Sequence, residues 1–153
     1  MLKKLKKKNK NKTVLWANQF DNLANFKAHY ESTGPEIWKD SKKKVNGFVC
    51  AVGTGGTLAG VSSFLKKKNK NIKIGLVDPM GSALYNYYTK GKLESKGDSI
   101  TEGIGQGRIT ENLKKAKIDY SFQAKDKDAL NIIFNLLKEE GLIMGGSTGI
   151  NIL

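Results

Sequence analysis

The pattern of apolar and polar positions predicts a chain of alternating strands and helices. Residues 47–52 form the clearest apolar run, of the kind found in a strand buried on both faces of a parallel sheet. Apolar residues then recur at helical spacing over 58–68, and a second apolar run covers 72–77. A strand, a helix and a strand in this order predict a βαβ unit with two parallel strands.

Weaker patterns predict further elements on either side of this unit. The alternation of strands and helices favours an α/β fold, a parallel sheet with helices on both faces. Before the unit we expect a strand over 13–17, a short helix that is capped by Asp21 and stops at Gly34-Pro35, and one or two helical turns over 36–44. After it we expect a helix over 83–89, a glycine-rich loop over 97–107, a strand at 120–122, a helix over 127–140 and a strand over 142–144.

The length of 153 residues corresponds to one domain. We expect residues 1–12, rich in Lys and Asn, to be helical or frayed, and residues 13–153 to form a partial α/β domain. No apolar run approaches the length of a transmembrane helix. The chain ends six residues after a Gly145-Gly146-Ser147 turn, where a helix is due, and we expect it to be a fragment.

The formal charge of +13 raises the possibility of a nucleic-acid partner. Of the 27 basic residues, however, only Arg108 is an arginine, the residue that base and phosphate readers favour. The abundance of Lys and Asn is typical of an AT-rich genome. We therefore expect no nucleic-acid partner, while nucleic-acid binding and a solvated basic tail stay open as alternatives.

Cysteine and histidine each occur once, as Cys50 and His29, which leaves no ligand set for a soft-metal site. We expect Cys50 to be inert filling of a buried strand and His29 to be a surface or packing residue. No apolar segment follows the cationic start, so the sequence predicts no secretory signal, no membrane association and a cytoplasmic location.

The segment Gly53-Thr54-Gly55-Gly56-Thr57 follows a predicted strand and opens a predicted helix. Free N–H groups at a helix N-terminus bind anions, and glycines let the backbone approach a phosphate closely. A plain tight turn is the alternative. Leu58 replaces the third glycine of a dinucleotide fingerprint, although Asp78 stands where a ribose-binding acid would, and no Walker lysine follows. A compact phosphate ester fits this loop best.

Five motifs in a fixed order extend this interpretation. They are Asn18-Gln19-Phe20-Asp21-Asn22, Thr33-Gly34-Pro35-Glu36-Ile37-Trp38, residues 53–60, Glu102-Gly103-Ile104-Gly105 and Gly145-Gly146-Ser147-Thr148-Gly149. Over about residues 16–152 the chain resembles cysteine synthase (O-acetylserine sulfhydrylase), in the cystathionine β-synthase group of pyridoxal-phosphate enzymes. The resemblance implies part of the larger domain of a fold-type II enzyme, which has the tryptophan synthase β-like fold.

The resemblance also implies roles for individual residues. Gly53, Thr54, Gly55, Gly56 and Thr57 would hold the phosphate of pyridoxal 5'-phosphate, and Ser147 would meet its pyridine nitrogen. Without the resemblance, the alternative interpretation of Ser147 is that of a helix N-cap. Gln19, Phe20 and Gly103 would contact the substrate.

The activity implied is synthesis of L-cysteine from O-acetylserine and sulfide by a homodimer, and some members of the family bind serine acetyltransferase. The family's Schiff-base lysine lies in a Ser-x-Lys-Asp-Arg-type segment that this chain lacks, so we expect the fragment to be inactive alone and assign no catalytic residue in it. A cystathionine β-synthase, a serine/threonine dehydratase and a non-enzymatic nucleotide-binding α/β module remain alternatives.

Overall fold

A computed structural model describes residues 15–153 and contains a parallel sheet flanked by helices. A single 3₁₀ turn, Leu113–Lys115, lies in the segment before the third strand. In chain order the elements are α1 (Ala24–Glu31), α2 (Thr33–Asp40), β1 (Gly47–Ala51), α3 (Gly56–Lys68), β2 (Lys73–Pro79), α4 (Leu84–Lys90), β3 (Tyr120–Ala124), α5 (Asp126–Glu140) and α6 (Gly146–Ile152).

The three strands lie in the order β1-β2-β3, and both pairings are parallel. Phe48 pairs with Ile74, and Val77 pairs with both Ala51 and Phe122. The predicted βαβ unit is therefore confirmed as β1-α3-β2. Since parallel strands all run the same way, the loops that follow them meet at one edge of the sheet.

Helices pack against both faces of the sheet. On one face, Leu58, Val61 and Leu65 of α3 join Ile74 and Leu76 of β2 in the main core. On the other face, a smaller cluster lies over the carboxyl ends of the strands and contains Val77, Ala124, Ala129 and Ile150. The fold class predicted from the sequence is confirmed.

The expectation that β1 is buried on both faces is wrong. Val49 is 45% exposed and Phe122, on the same face of the sheet, is 50% exposed. The reason is that β1 is an edge strand of the described sheet and that α5 and α6 cover only the carboxyl ends of the strands on this face.

Three predictions before β1 need correction. Residues 15–17 are not in a strand, and the other two residues of the predicted strand 13–17 lie outside the described part of the chain. Gly34 and Pro35 do not end a helix but lie in the first turn of α2, where proline is tolerated because its missing N–H has no intrahelical acceptor. Asp21 does not cap α1, which has Leu23 at its N-cap.

The strand predicted at 142–144 is also absent from the described sheet. These three residues have no regular structure, and the Ile143 side chain is 87% exposed. An apolar run becomes a strand only where another strand pairs with it, and within residues 15–153 none does. The helix due after this segment is present as α6.

Candidate functional site

The glycine-rich loop joins the carboxyl end of β1 to the N-terminus of α3. Gly55 immediately precedes the helix with a φ of 87°, a conformation that favours glycine. Within residues 15–153, the N–H groups of Thr57 and Leu58 in the first turn of α3 donate to no protein acceptor. Two unpaired N–H groups and the positive end of the helix dipole therefore suit this turn to bind an anion, and its role as a phosphate site stays a prediction.

Both threonine hydroxyls of the loop are held by side chains of α1. Asn25 Nδ2 donates to Thr54 Oγ1 over 2.8 Å, and His29 Nε2 lies 3.1 Å from Thr57 Oγ1. The other ring nitrogen of His29, Nδ1, lies 2.9 Å from Thr33 Oγ1 at the start of α2. His29 is thus more than the surface or packing residue expected from the sequence, because it links α2 to the loop.

Close packing between α1 and α3 makes these contacts possible. A Cβ atom at Gly56 would clash with Asn25 Oδ1, and one at Gly60 would lie 2.6 Å from His29 Cβ and 2.7 Å from Tyr30 N. Two glycines four residues apart on α3 therefore face Asn25 and His29, also four residues apart, on α1. The absence of side chains at both glycines brings the polar groups of α1 to the loop.

The predicted substrate-contacting loop around Gly103 lies against the predicted phosphate loop. A Cβ atom at Gly53 would clash with the carbonyl oxygen of Gly103, and the N–H of Gly105 donates to the carbonyl oxygen of Val52 over 2.8 Å. Beside Gly105, Ile104 and Ser82 line a cavity of about 290 Å³. Gly53 and Gly103 are therefore in direct contact, but none of the predicted site residues lines this cavity.

The segment that contains Gln19 and Phe20 is fixed by its main chain. The side-chain amide of Asn112, which is fully buried, donates to the carbonyl oxygens of Gln19 over 3.0 Å and Phe20 over 2.7 Å. Asn25 donates to the same Gln19 oxygen over 3.0 Å. The segment is thereby connected through Asn25 to Thr54 in the phosphate loop.

An exposed ion pair holds the same segment from outside. Arg108 donates two hydrogen bonds of 3.0 Å to the carboxylate of Asp21, and its guanidinium lies 5.8 Å from the centre of the Phe20 ring. The N–H of Glu111 adds a third bond to the carboxylate. The Arg108 hydrogen bonds, with the Glu111 N–H, lower the pKa of Asp21. Asp21 thus anchors this segment instead of capping α1.

Ser147 lies in the first turn of α6 with an exposed side chain. Asn151, one turn further on, donates to the carbonyl oxygen of Ser147 and accepts a 2.7 Å bond from the N–H of Ala51. Ala51 ends β1 two residues before Gly53, so α6 is attached to the strand end from which the phosphate loop starts. No hydrogen bond of the described residues joins Ser147 to that loop, and its role stays a prediction.

Two residues considered in the sequence do not belong to the site. Asp78, proposed as a ribose-binding acid, is fully buried and accepts the N–H of Tyr85 over 2.8 Å, so it cannot reach a nucleotide. Burial raises the pKa of its carboxyl group. Burial also raises the pKa of the Cys50 thiol to about 11, which keeps the sulfur protonated and unreactive.

The loop fits the phosphate of a small cofactor. It offers unpaired N–H groups at the start of a helix, hydroxyls at Thr54 and Thr57, and a backbone whose close approach to Gly103 excludes a side chain at Gly53. The fold and the site define an α/β protein whose loop at the carboxyl edge of a parallel sheet is suited to a phosphate group.

The family follows from comparison with known proteins. The family model described as "Pyridoxal-phosphate dependent enzyme" matches residues 1–153, and the chain belongs to this family. Pyridoxal phosphate is accordingly its cofactor, as the sequence resemblance implied.

Individual relatives agree with this family. Cysteine synthase 1 of Neurospora crassa is 47% identical over an alignment of 145 positions that covers 92% of this chain and 39% of that protein. Among solved structures, O-acetylserine sulfhydrylase isoform 3 of Entamoeba histolytica has a TM-score of 0.83 and 37% identity, with 99% of this chain and 43% of that one covered. An O-acetylserine-dependent cystathionine β-synthase of Helicobacter pylori has a TM-score of 0.83, 29% identity and coverages of 99% and 47%. The chain thus spans about two fifths of the length of its curated relatives.

Sequence reasoning missed Asn25, Asn112 and the role of His29. The Gly56-x-x-x-Gly60 spacing was a usable signal, since paired small residues four apart allow two helices to approach closely. For residues 15–153, no helix is long and apolar enough to cross a membrane, and no cluster of three or more His, Cys, Asp or Glu side chains could hold a metal ion.

Proposed function

We propose that this chain is the phosphate-binding part of an enzyme that makes L-cysteine from O-acetylserine and sulfide. The observation that carries the proposal is the 47% identity to cysteine synthase 1 over 92% of the chain, together with a loop built to hold a phosphate. Because the Ser-x-Lys-Asp-Arg-type segment is absent from the sequence, activity requires a part of the protein that this chain does not contain.

Each residue of the site has a chemical task in this proposal. The N–H groups of the first turn of α3 and the hydroxyls of Thr54 and Thr57 bind the phosphate and fix the position of the ring. Bound pyridoxal phosphate supplies an electron sink for negative charge at the substrate α-carbon. The hydroxyl of Ser147 meets the pyridine nitrogen. Because this hydroxyl is uncharged, it does not force the nitrogen to hold a proton, and such a ring suits replacement at the β-carbon.

The substrate side of the proposal rests on Gln19, Phe20 and Gly103. The amide of Gln19 can donate to the substrate carboxylate without adding charge, and Phe20 lines the same wall. Gly103 permits close approach of the backbone and movement of its loop when the site closes.

A second candidate activity is that of a cystathionine β-synthase. The specific support is the similarity to the Helicobacter pylori structure, which is that of an O-acetylserine-dependent cystathionine β-synthase. The two reactions differ in the sulfur donor, sulfide or a larger thiol, and the loop that grips the substrate carboxylate in the family is not part of this chain. A homodimer and binding of serine acetyltransferase complete the proposal and rest on the family resemblance, and the cytoplasmic location stays the expectation drawn from the sequence.

The test uses the gene product at its natural length. We expect an absorption band in the visible range on addition of pyridoxal phosphate, and then formation of cysteine from O-acetylserine and sulfide. Product formed with homocysteine and not with sulfide would favour the second activity. A protein that binds NAD or RNA and shows no visible band would overturn both.

A further inference from the structure

The hydrogen bond between Asn25 and Thr54 has a fixed direction. Asn25 Nδ2 lies 2.8 Å from Thr54 Oγ1 and 3.0 Å from the carbonyl oxygen of Gln19. A carbonyl oxygen can only accept, so the group that faces both atoms is the NH₂ of the amide. Thr54 Oγ1 therefore accepts from Asn25, and its own proton is left free to be donated elsewhere.

The free proton of Thr54 lies at the start of α3. The backbone nitrogen of Gly56, the first residue of that helix, lies 3.4 Å from Thr54 Oγ1 and donates a weak hydrogen bond to it. The Thr54 hydroxyl therefore lies at the same helix start as the unpaired N–H groups of Thr57 and Leu58. No acceptor for the hydroxyl proton is present in the part of the chain that the structure describes. An anion at this turn would be the acceptor.

Asn25 is held in this orientation by its surroundings. It lies on α1, whose close approach to α3 leaves no room for a side chain at Gly56. Both hydrogens of its amide are used, one by Gln19 and the other by Thr54. A rotated amide would place Oδ1 against the Gln19 oxygen, so the reverse orientation is excluded.

We propose that Asn25 is a positioning residue for the phosphate site, which orients the Thr54 hydroxyl so that it donates to the bound phosphate. The identity of the ligand in this inference rests on the proposed function. The direction of the hydrogen bond from Asn25 to Thr54 does not. The inference assigns to α1 a part in anion binding, although α1 itself does not contact the phosphate.

The experiment compares affinities for pyridoxal phosphate and for pyridoxal, which lacks the phosphate, in the gene product at its natural length. For Asn25→Ala we expect about tenfold weaker binding of pyridoxal phosphate, the effect of one hydrogen bond of ordinary strength. Pyridoxal should bind as it does to the wild type. The phosphorus resonance of the bound cofactor should shift as well, because the Thr54 hydroxyl is no longer held in the orientation that donates to the phosphate.

A double-mutant cycle tests whether Asn25 acts through Thr54. If it does, Thr54→Val alone should weaken binding at least tenfold, and adding Asn25→Ala should weaken it no further. Asn25→Asp keeps the size of the side chain but can only accept, so it should draw the Thr54 proton away and bind pyridoxal phosphate less well than Asn25→Ala. Asn25→Asp replaces Asn25→Ala in the affinity comparison if Asn25→Ala does not fold.

The matched control is Asn22→Ala. Asn22 also makes two side-chain hydrogen bonds in the same segment, to Ala17 and Ala24, and none to the loop. Its affinity should stay within twofold of the wild type. An equal effect of Asn25→Ala and Asn22→Ala, or an equal loss of pyridoxal and pyridoxal phosphate, would overturn the inference. A wild type that binds inorganic phosphate but not pyridoxal phosphate would overturn the proposed function alone, and the same variants would then be compared on inorganic phosphate.

Discussion

Replacement of Asn112 tests how the segment containing Gln19 and Phe20 is held. Asn112 is fully buried and makes three hydrogen bonds to residues far away in the sequence. Its amide donates to the carbonyl oxygens of Gln19 and Phe20, and its Oδ1 accepts the N–H of Phe26 over 3.1 Å. Phe26 lies in the first turn of α1, whose N-cap residue Leu23 makes no side-chain capping bond, so Asn112 acts as a cap from outside the helix.

The expected cost of Asn112→Ala follows from these bonds. Loss of a helix cap costs about 1 kcal/mol, and each of the two bonds to carbonyl oxygens contributes about 1 kcal/mol. The sum of about 3 kcal/mol corresponds to a fall in Tm of about 4 °C for a protein of its relatives' length, of which this chain spans 39%. Asn112→Asp should be at least as destabilising, because a carboxylate would place an acceptor against the oxygens of Gln19 and Phe20.

The assay is thermal unfolding followed by circular dichroism, on the gene product at its natural length. Asn22→Ala is the control, since its two hydrogen bonds are exposed, and its Tm should change by no more than about 1 °C. If Asn112→Asp is as stable as the wild type, Asn112 only fills space and the hydrogen-bonding account is refuted.

Three further predictions concern other parts of the chain. Because the pKa of Asp21 is lowered in the folded state, its pairing with Arg108 stabilises the fold at pH values above the pKa of an ordinary carboxyl group. This contribution is lost as the pH falls and the carboxylate becomes protonated. The Tm difference between the wild type and Asp21→Asn should therefore shrink between about pH 5 and pH 2, and a constant difference would contradict this. The Cys50 thiol, with its pKa of about 11, should react with iodoacetamide at about pH 8 far more slowly than free cysteine does. The rate of labelling is followed by mass spectrometry, and a rate equal to that of free cysteine would contradict the burial of the thiol. Gly60→Ala should push α1 away from α3 and cost about 1–3 kcal/mol, reduced by up to about 1 kcal/mol of helix propensity. A variant more stable than the wild type in urea would disprove the close contact.

Local pattern was enough to predict the elements around the phosphate loop. The strand, the glycines and the helix are adjacent in the sequence, so that β1, α3 and β2 follow from periodicity and composition alone. The same reasoning failed at 142–144, where an apolar run has no partner strand in the described residues. It also failed at Asp21, whose partner Arg108 is 87 residues away.

The hydrogen-bonding groups behind the site could not be found from local pattern. Asn112 reaches Phe26 across 86 residues, and a buried asparagine has the same sequence signature as one in an exposed turn. Asn25 and His29 are four residues apart, as are Gly56 and Gly60, and this matching spacing could have indicated that the two pairs face each other. A single sequence does not tell which helix those glycines face.

The central claim is that the loop from Gly53 to Thr57 holds the phosphate of pyridoxal phosphate while Ser147 meets its ring. A crystal structure of the gene product at its natural length with pyridoxal phosphate bound tests this most directly. The account predicts phosphate oxygens within hydrogen-bonding distance of the Thr57 and Leu58 N–H groups and of Thr54 Oγ1, with the pyridine nitrogen at Ser147 Oγ. A phosphate bound elsewhere, or a Ser147 hydroxyl at the opposite end of the sheet from Thr57, would contradict it.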